Sequence, residues 1–110
     1  MSGPTLSTHV LDTERGLPAA GVPVVLLRDG RSVARAETGA DGRVTDLAGA
    51  PLTEGRYELA FDVAAYFRAR GRPAPFLQRV VIEFQARPAD QHYHVPLLLS
   101  AFACTSYRGS

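Results

Sequence analysis

At 110 residues the chain has room for one domain with a single core and none for a second. Its 45% hydrophobic and 21% charged residues describe an ordinary globular protein, and a net charge of +1 gives no electrostatic footprint for nucleic acid or an anionic membrane surface. No apolar run approaches the roughly 18–20 residues needed to cross a bilayer.

Thr5 to Asp12 alternates, with Leu6, Thr8 and Val10 on one side and Ser7, His9 and Leu11 on the other, and predicts a strand. Gly16-Leu17-Pro18 and Gly21 break the chain before a second strand from Val22 to Arg28. Asp29-Gly30 is a two-residue hairpin signal, because both turn positions favour positive φ, and the return strand is expected over Ser32 to Thr38. Asp41-Gly42 marks another turn, delivering Arg43 at the start of a short strand that ends near Leu47. From Gly55 an alternation sends Tyr57, Leu59 and Phe61 one way and Arg56, Glu58, Ala60 and Asp62 the other. That period breaks between Val63 and Arg70, where Val63, Tyr66 and Phe67 fall at the i, i+3, i+4 spacing of a short helix, ended by Gly71, Pro73 and Pro75. Leu77 to Gln85 and His92 to Leu99 are the last long strands, with a short one from Thr105. Seven to eight short strands and one short helix, without repeat or linker, predict an all-β, two-sheet sandwich.

The chain has three histidines. His92 and His94 share one face of the last long strand with Pro96 and Leu98, while Tyr93, Val95, Leu97 and Leu99 form a wholly apolar face that must be core. The histidines therefore point outward or into a subunit interface. Taken alone, each reads as a surface or capping side chain. His-x-His on a strand can also chelate a metal, but zinc sites use three or four protein ligands, and the remaining candidates His9, Asp90 and Cys104 have no recognisable spacing; no metal is expected. No GxSxG elbow is present, and Cys104 sits in a loop-like stretch with nothing to lower its pKa, which reads as a small packed residue. Water activated by histidine is then the simplest chemistry the chain can support. Arg43, without further context, reads as a solvated turn arginine, and Tyr107 to Ser110 as a tail covering an edge strand. The opening residues MSGPTLSTHV hold neither a basic nor an apolar leader region, and a lone cysteine suits a reducing compartment, so a soluble cytoplasmic protein is expected.

Three stretches carry a resemblance: Leu6 to Asp12 (LSTHVLD), His92 to Ser100 (HYHVPLLLS) and Tyr107 to Ser110 (YRGS). Together they resemble the 5-hydroxyisourate hydrolases, the purine-catabolic branch of the transthyretin-like family, and the likeness runs from about Thr5 to Ser110. It implies a single transthyretin-like hydrolase domain over residues 1–110, free of cofactor, assembled as a homotetramer with sites at subunit interfaces. It implies that His9 and His94 activate and position water. The resemblance implies that Arg43, in its DGR context, binds substrate, for which a fixed guanidinium fork suits a urate-like ring with adjacent carbonyl oxygens. It further implies that Tyr107 contacts substrate, and Ser110 is expected to bring a hydroxyl and the terminal carboxylate together to orient a histidine or the attacking water. His92 and Arg108 are expected to be structural or positioning residues, Arg108 organising the terminus.

The chain departs from the family pattern at Ala101 to Ser106, where members often carry Pro and Tyr, and at Pro75 to Arg79, which lacks a common proline. Two other readings share the fold: a transthyretin-like carrier of small ligands and a non-enzymatic β-sandwich interaction module. The carrier branch lacks the combination of His9 with YRGS. An interaction module has no reason to carry HYHVPLLLS and YRGS.

Overall fold

The alternation in the first strand, β1 (Thr5–Asp12), is realised in full: Leu6, Thr8, Val10 and Asp12 are buried while Ser7, His9 and Leu11 are half-exposed on the other face. In the computed structural model, which describes residues 3–110, eight further strands follow. They are β2 (Leu17–Pro18), β3 (Pro23–Arg28), β4 (Arg31–Glu37), β5 (Arg43–Val44), β6 (Gly55–Phe61), β7 (Val80–Ala86), β8 (His92–Leu99) and β9 (Cys104–Ser106). One sheet runs β2-β1-β8-β9, with β5 also paired to β1; the other runs β4-β3-β6-β7. The two close over a core that includes Leu6, Val10, Val24, Leu26, Leu59, Phe61, Leu97 and Leu99. This is the expected all-β, two-sheet sandwich, and no helix among the described residues is long and apolar enough to cross a membrane.

Several boundaries differ from the sequence reading. The break at Gly16-Leu17-Pro18 contains β2, where Leu17 pairs with Asp12 and Pro18 with Leu11. β5 stops at Val44 rather than near Leu47, and Leu47 returns to β1 through its N–H to the Leu6 carbonyl (3.0 Å). β7 begins at Val80 rather than Leu77, because the preceding backbone serves other elements: Leu77 donates to Ala101 and Gln78 accepts from Ala64. Cys104 opens β9 and is exposed, not packed, since its strand lies at the sheet edge. Asp29 (φ 53°) and Gly30 (φ 76°) form the expected hairpin turn between β3 and β4. The helix α1 (Val63–Ala69) is capped by the Asp62 carboxylate, which accepts from the Ala65 N–H, and it buries Val63, Ala64, Tyr66 and Phe67.

The central fact for function is that β1 and β8, 87 residues apart, lie side by side and parallel, from Thr5↔His92 to Asp12↔Leu99. Their core faces interlock, and their outward faces merge into one surface that carries all three histidines.

Asp12 anchors the far end of this pair. Its carboxylate is fully buried and accepts from the Tyr66 hydroxyl (2.8 Å), from Arg72 (2.5 Å) and from the backbone N–H of Glu14 (3.1 Å). Arg72 also bonds Glu14 (2.9 Å), whose carboxylate takes the Ala101 N–H (2.7 Å). Burial alone would raise the Asp12 pKa, but the Arg72 and Tyr66 hydrogen bonds outweigh it and hold the carboxyl below its usual value. The folded state thus binds this proton less readily than the unfolded chain. The corresponding stability is present above the unfolded pKa of about 3.9 and is lost as pH falls through the lower folded value. Asp12→Asn is expected to cost about 3 kcal/mol at pH 7, as removal of one partner from a buried ion pair does. The difference from wild type should shrink in urea unfolding at pH 3; a constant difference would place the loss in packing instead.

Candidate active site

On the outward face of β1 and β8, register decides which side chains meet. Ser7 lies beside His94 and His9 beside Pro96. On the other flank of β1, Arg43 of β5 pairs with His9. Asp41 holds the turn before Arg43 by accepting its N–H (3.0 Å). Gly42 is required there: its φ is +77°, and a Cβ would sit 2.5 Å from the Val10 carbonyl oxygen. The glycine lets β5 approach closely enough for Val10 N–H to bond Gly42 O at 2.8 Å, which places Arg43 against His9. Among the described residues no carboxylate pairs with Arg43, leaving its guanidinium available to an incoming anion.

The chain terminus closes the other side. β9 pairs with β8 through Leu97↔Ser106, and the tail returns to β8 at His94↔Gly109. Tyr107 and Arg108 span the gap between these two pairings. Gly109 donates to the His94 carbonyl at 2.7 Å, and a Cβ on it would lie 2.5 Å from His94 Cδ2. The tail backbone therefore lies against the imidazole itself. Arg108 holds it down, with its guanidinium 4.6 Å over the Tyr93 ring and bonded to the His92 carbonyl (3.2 Å).

His94 is half-buried at the centre of this arrangement. Burial, then the charge of Arg43, then His92 and His9 push its pKa below the ordinary value. A neutral imidazole at neutral pH, with a lone pair to offer, is the result. Ser7, not singled out from sequence, bonds both His92 Nε2 and His94 Nδ1 at 2.8 Å, and Thr5 Oγ1 bonds His92 Nδ1 at 2.5 Å. The parity of Ser7 with His9 in LSTHVLD was visible in the sequence; the parallel pairing of β1 with β8 was not.

The face is open in a single chain. A neighbouring apolar cleft of about 460 Å³, between β7 and the β8–tail edge, is lined by Ile82, Phe84, Tyr93, Val95, Tyr107 and Arg108 among others. It contains none of His9, His94 and Arg43. Tyr107, 58% exposed, borders this cleft, and Ser110 is exposed one residue beyond Gly109. No group of three or more His, Cys, Asp or Glu side chains among the described residues is placed to hold a metal ion.

A sequence model of the HIUase/Transthyretin family matches residues 6–109. The chain belongs to that family. It is 48% identical to the 5-hydroxyisourate hydrolase of Caulobacter vibrioides, with both chains covered over their whole length. Among solved structures, the 5-hydroxyisourate hydrolase of Klebsiella pneumoniae matches with a TM-score of 0.90 at 41% identity, again covering both chains completely. The sea bream transthyretin in complex with thyroxine matches with a TM-score of 0.81 at 30% identity, covering 96% of this chain and 94% of that one. The expected family and the transthyretin-like sandwich are therefore both found.

Proposed function

We propose that this member of the family hydrolyses 5-hydroxyisourate, opening the ring at a carbonyl–nitrogen bond to give 2-oxo-4-hydroxy-4-carboxy-5-ureidoimidazoline. The observation that carries the reading is the convergence of His94, His9 and Arg43 on one sheet face, under the chain terminus, in a chain with full-length similarity to 5-hydroxyisourate hydrolases. Neutral His94 takes a proton from water as the oxygen attacks the ring carbonyl. His9, one row away, positions the water and substrate. Arg43 holds the ring oxygens and stabilises the negative charge that develops on the attacked carbonyl. The carbon–nitrogen bond then breaks and His94 returns the proton to the departing nitrogen, so the enzyme ends as it began. Tyr107 and Ser110, carried by the tail, complete the substrate contacts. No cofactor has a role in this sequence of steps.

The same reading includes a cytoplasmic homotetramer with sites at subunit contacts. Half-exposed Leu11 and Leu98, beside the histidines, make the site face partly apolar, which suits a symmetric contact better than free solvent. In the decisive experiment, freshly generated 5-hydroxyisourate is followed by its ultraviolet decay with and without protein. Decay well above the buffer rate, unchanged by EDTA, is expected from material that sediments as a tetramer. Folded protein that leaves the buffer rate unaltered sinks the assignment, and loss of activity on chelation sinks its metal-free part.

A further inference from the structure

The hydrogen bonds behind His94 form a chain whose direction matters. Ser7 Oγ lies 2.8 Å from His94 Nδ1 and 2.8 Å from His92 Nε2. A serine hydroxyl has one proton and two lone pairs, so it donates to at most one of the two rings, and a Ser7 that donates to one accepts from the other. If Ser7 donates to His94 Nδ1, the His94 proton must sit on Nε2, and that nitrogen can only donate. If instead His94 donates Nδ1–H to Ser7, Ser7 donates to His92 Nε2, and His92 donates its Nδ1–H to Thr5 Oγ1 at 2.5 Å. Only the second arrangement leaves a lone pair on His94 Nε2. It also survives proton uptake at Nε2 unchanged, because an imidazolium donates from both nitrogens.

Geometry makes Nε2 the working atom. Ser7 occupies the Nδ1 side of the ring, and the tail backbone at Gly109 packs against Cδ2 on the opposite side. Covalent geometry then leaves Nε2 and Cε1 as the ring's outermost atoms, and Nε2 alone can exchange a proton with something lying on the sheet face. The charged and titratable groups facing the ring, Arg43, His9 and His92, all oppose its protonation. None of them supplies the carboxylate or backbone carbonyl that usually fixes a histidine tautomer. That task falls to a neutral hydroxyl.

We propose that Ser7 is a positioning residue that, backed by His92 and Thr5, fixes His94 in the Nδ1–H tautomer and so keeps a basic lone pair on Nε2. The inference rests on the reading of His94 as the base. It gives His92 a defined part as well: His92 is the acceptor that turns the Ser7 proton away from His94.

Two readouts separate this role from a structural one. Nitrogen-15 imidazole spectra of the free protein at neutral pH are expected to place the His94 proton on Nδ1 in wild type. In Ser7→Ala the population should move toward the Nε2–H form that free histidine prefers. In the same variant kcat should fall about 10- to 100-fold at unchanged KM. The loss is smaller than the roughly 10⁴-fold that an enforced wrong tautomer costs a catalytic triad, because Ser7→Ala removes a bias without imposing its opposite. Ser7→Thr, which keeps the hydroxyl, should restore both rate and spectrum. Ser7→Ala with the wild-type tautomer and wild-type kcat overturns the proposal, provided His94→Asn is inactive. An active His94→Asn instead removes the underlying reading, whatever Ser7 does.

Discussion

His94→Asn is expected to lower turnover of 5-hydroxyisourate by about 10²–10⁴-fold, the usual cost of losing a general base, while the sandwich stays folded. The ring is half-buried on the outward face, and the core beneath it is formed by Tyr93, Val95, Leu97 and Leu99 on the other side of β8. An amide of similar size there disturbs no apolar packing. His9→Asn should cost a loss of the same order, because His9 stands between Arg43 and the His94 row. Arg43→Lys should act mainly on KM, since a point charge cannot reproduce a bidentate fork. The pH profile carries the same signature. Activity needs neutral His94, and because burial, Arg43, His92 and His9 together lower its pKa, the acidic limb should fall below the value near 6.5 of an ordinary histidine. At neutral pH the base is then already fully available. Steady-state rates from pH 5 to 8, with circular dichroism on each variant, measure all of this. A dead His92→Asn beside a near-normal His94→Asn would reverse the assignment of the two residues in the HYH triplet.

Much of this geometry was legible in the sequence wherever the signal is local. Period-2 alternation placed β1, β6 and β8 to within a residue, because each buries one face and any slip in register would expose it. Asp29-Gly30 and Asp41-Gly42 marked turns because each turn needs a residue at positive φ. The i, i+3, i+4 spacing of Val63, Tyr66 and Phe67 gave the helix. What escaped was non-local. β2 and the early end of β5 depend on which edge of β1 is free, and the late start of β7 depends on Ala64 and Ala101 claiming its backbone. Cys104 read as packed because its small apolar neighbours conceal an exposed edge position. Ser7 is the instructive case. Its alternation with His9 was plain, yet its meaning came only from the parallel pairing of β1 with β8, which no local pattern encodes. The roles given to His9, Arg43, Tyr107 and Ser110 drew on family resemblance, since each residue alone fits a surface position.

Gly109→Ala is expected to lower turnover by at least about 100-fold, nearly as much as deleting Tyr107 to Ser110, with little effect on stability. The argument is steric. The φ of Gly109 is not in the left-handed region, so backbone strain is not at issue; the obstacle is the His94 ring, whose Cδ2 and Cγ would lie 2.5 Å and 3.3 Å from the new Cβ. The ring has no room to retreat, because Ser7 holds its far side at 2.8 Å. Either the tail lifts, which removes Tyr107 and Ser110 from the face, or the imidazole swings off Ser7. Each outcome dismantles the site. The fold should tolerate both, since the residues beyond β9 are mostly exposed and surface substitutions usually change stability by about 0.5 kcal/mol or less. Cys104→Ser, exposed on the same terminal segment and remote from the ring, is the control and should keep full activity. Turnover and thermal melting of the three variants are the measurement. An active Gly109→Ala variant would show that the terminus can leave His94 without consequence, and that Tyr107 and Ser110 take no part in the reaction.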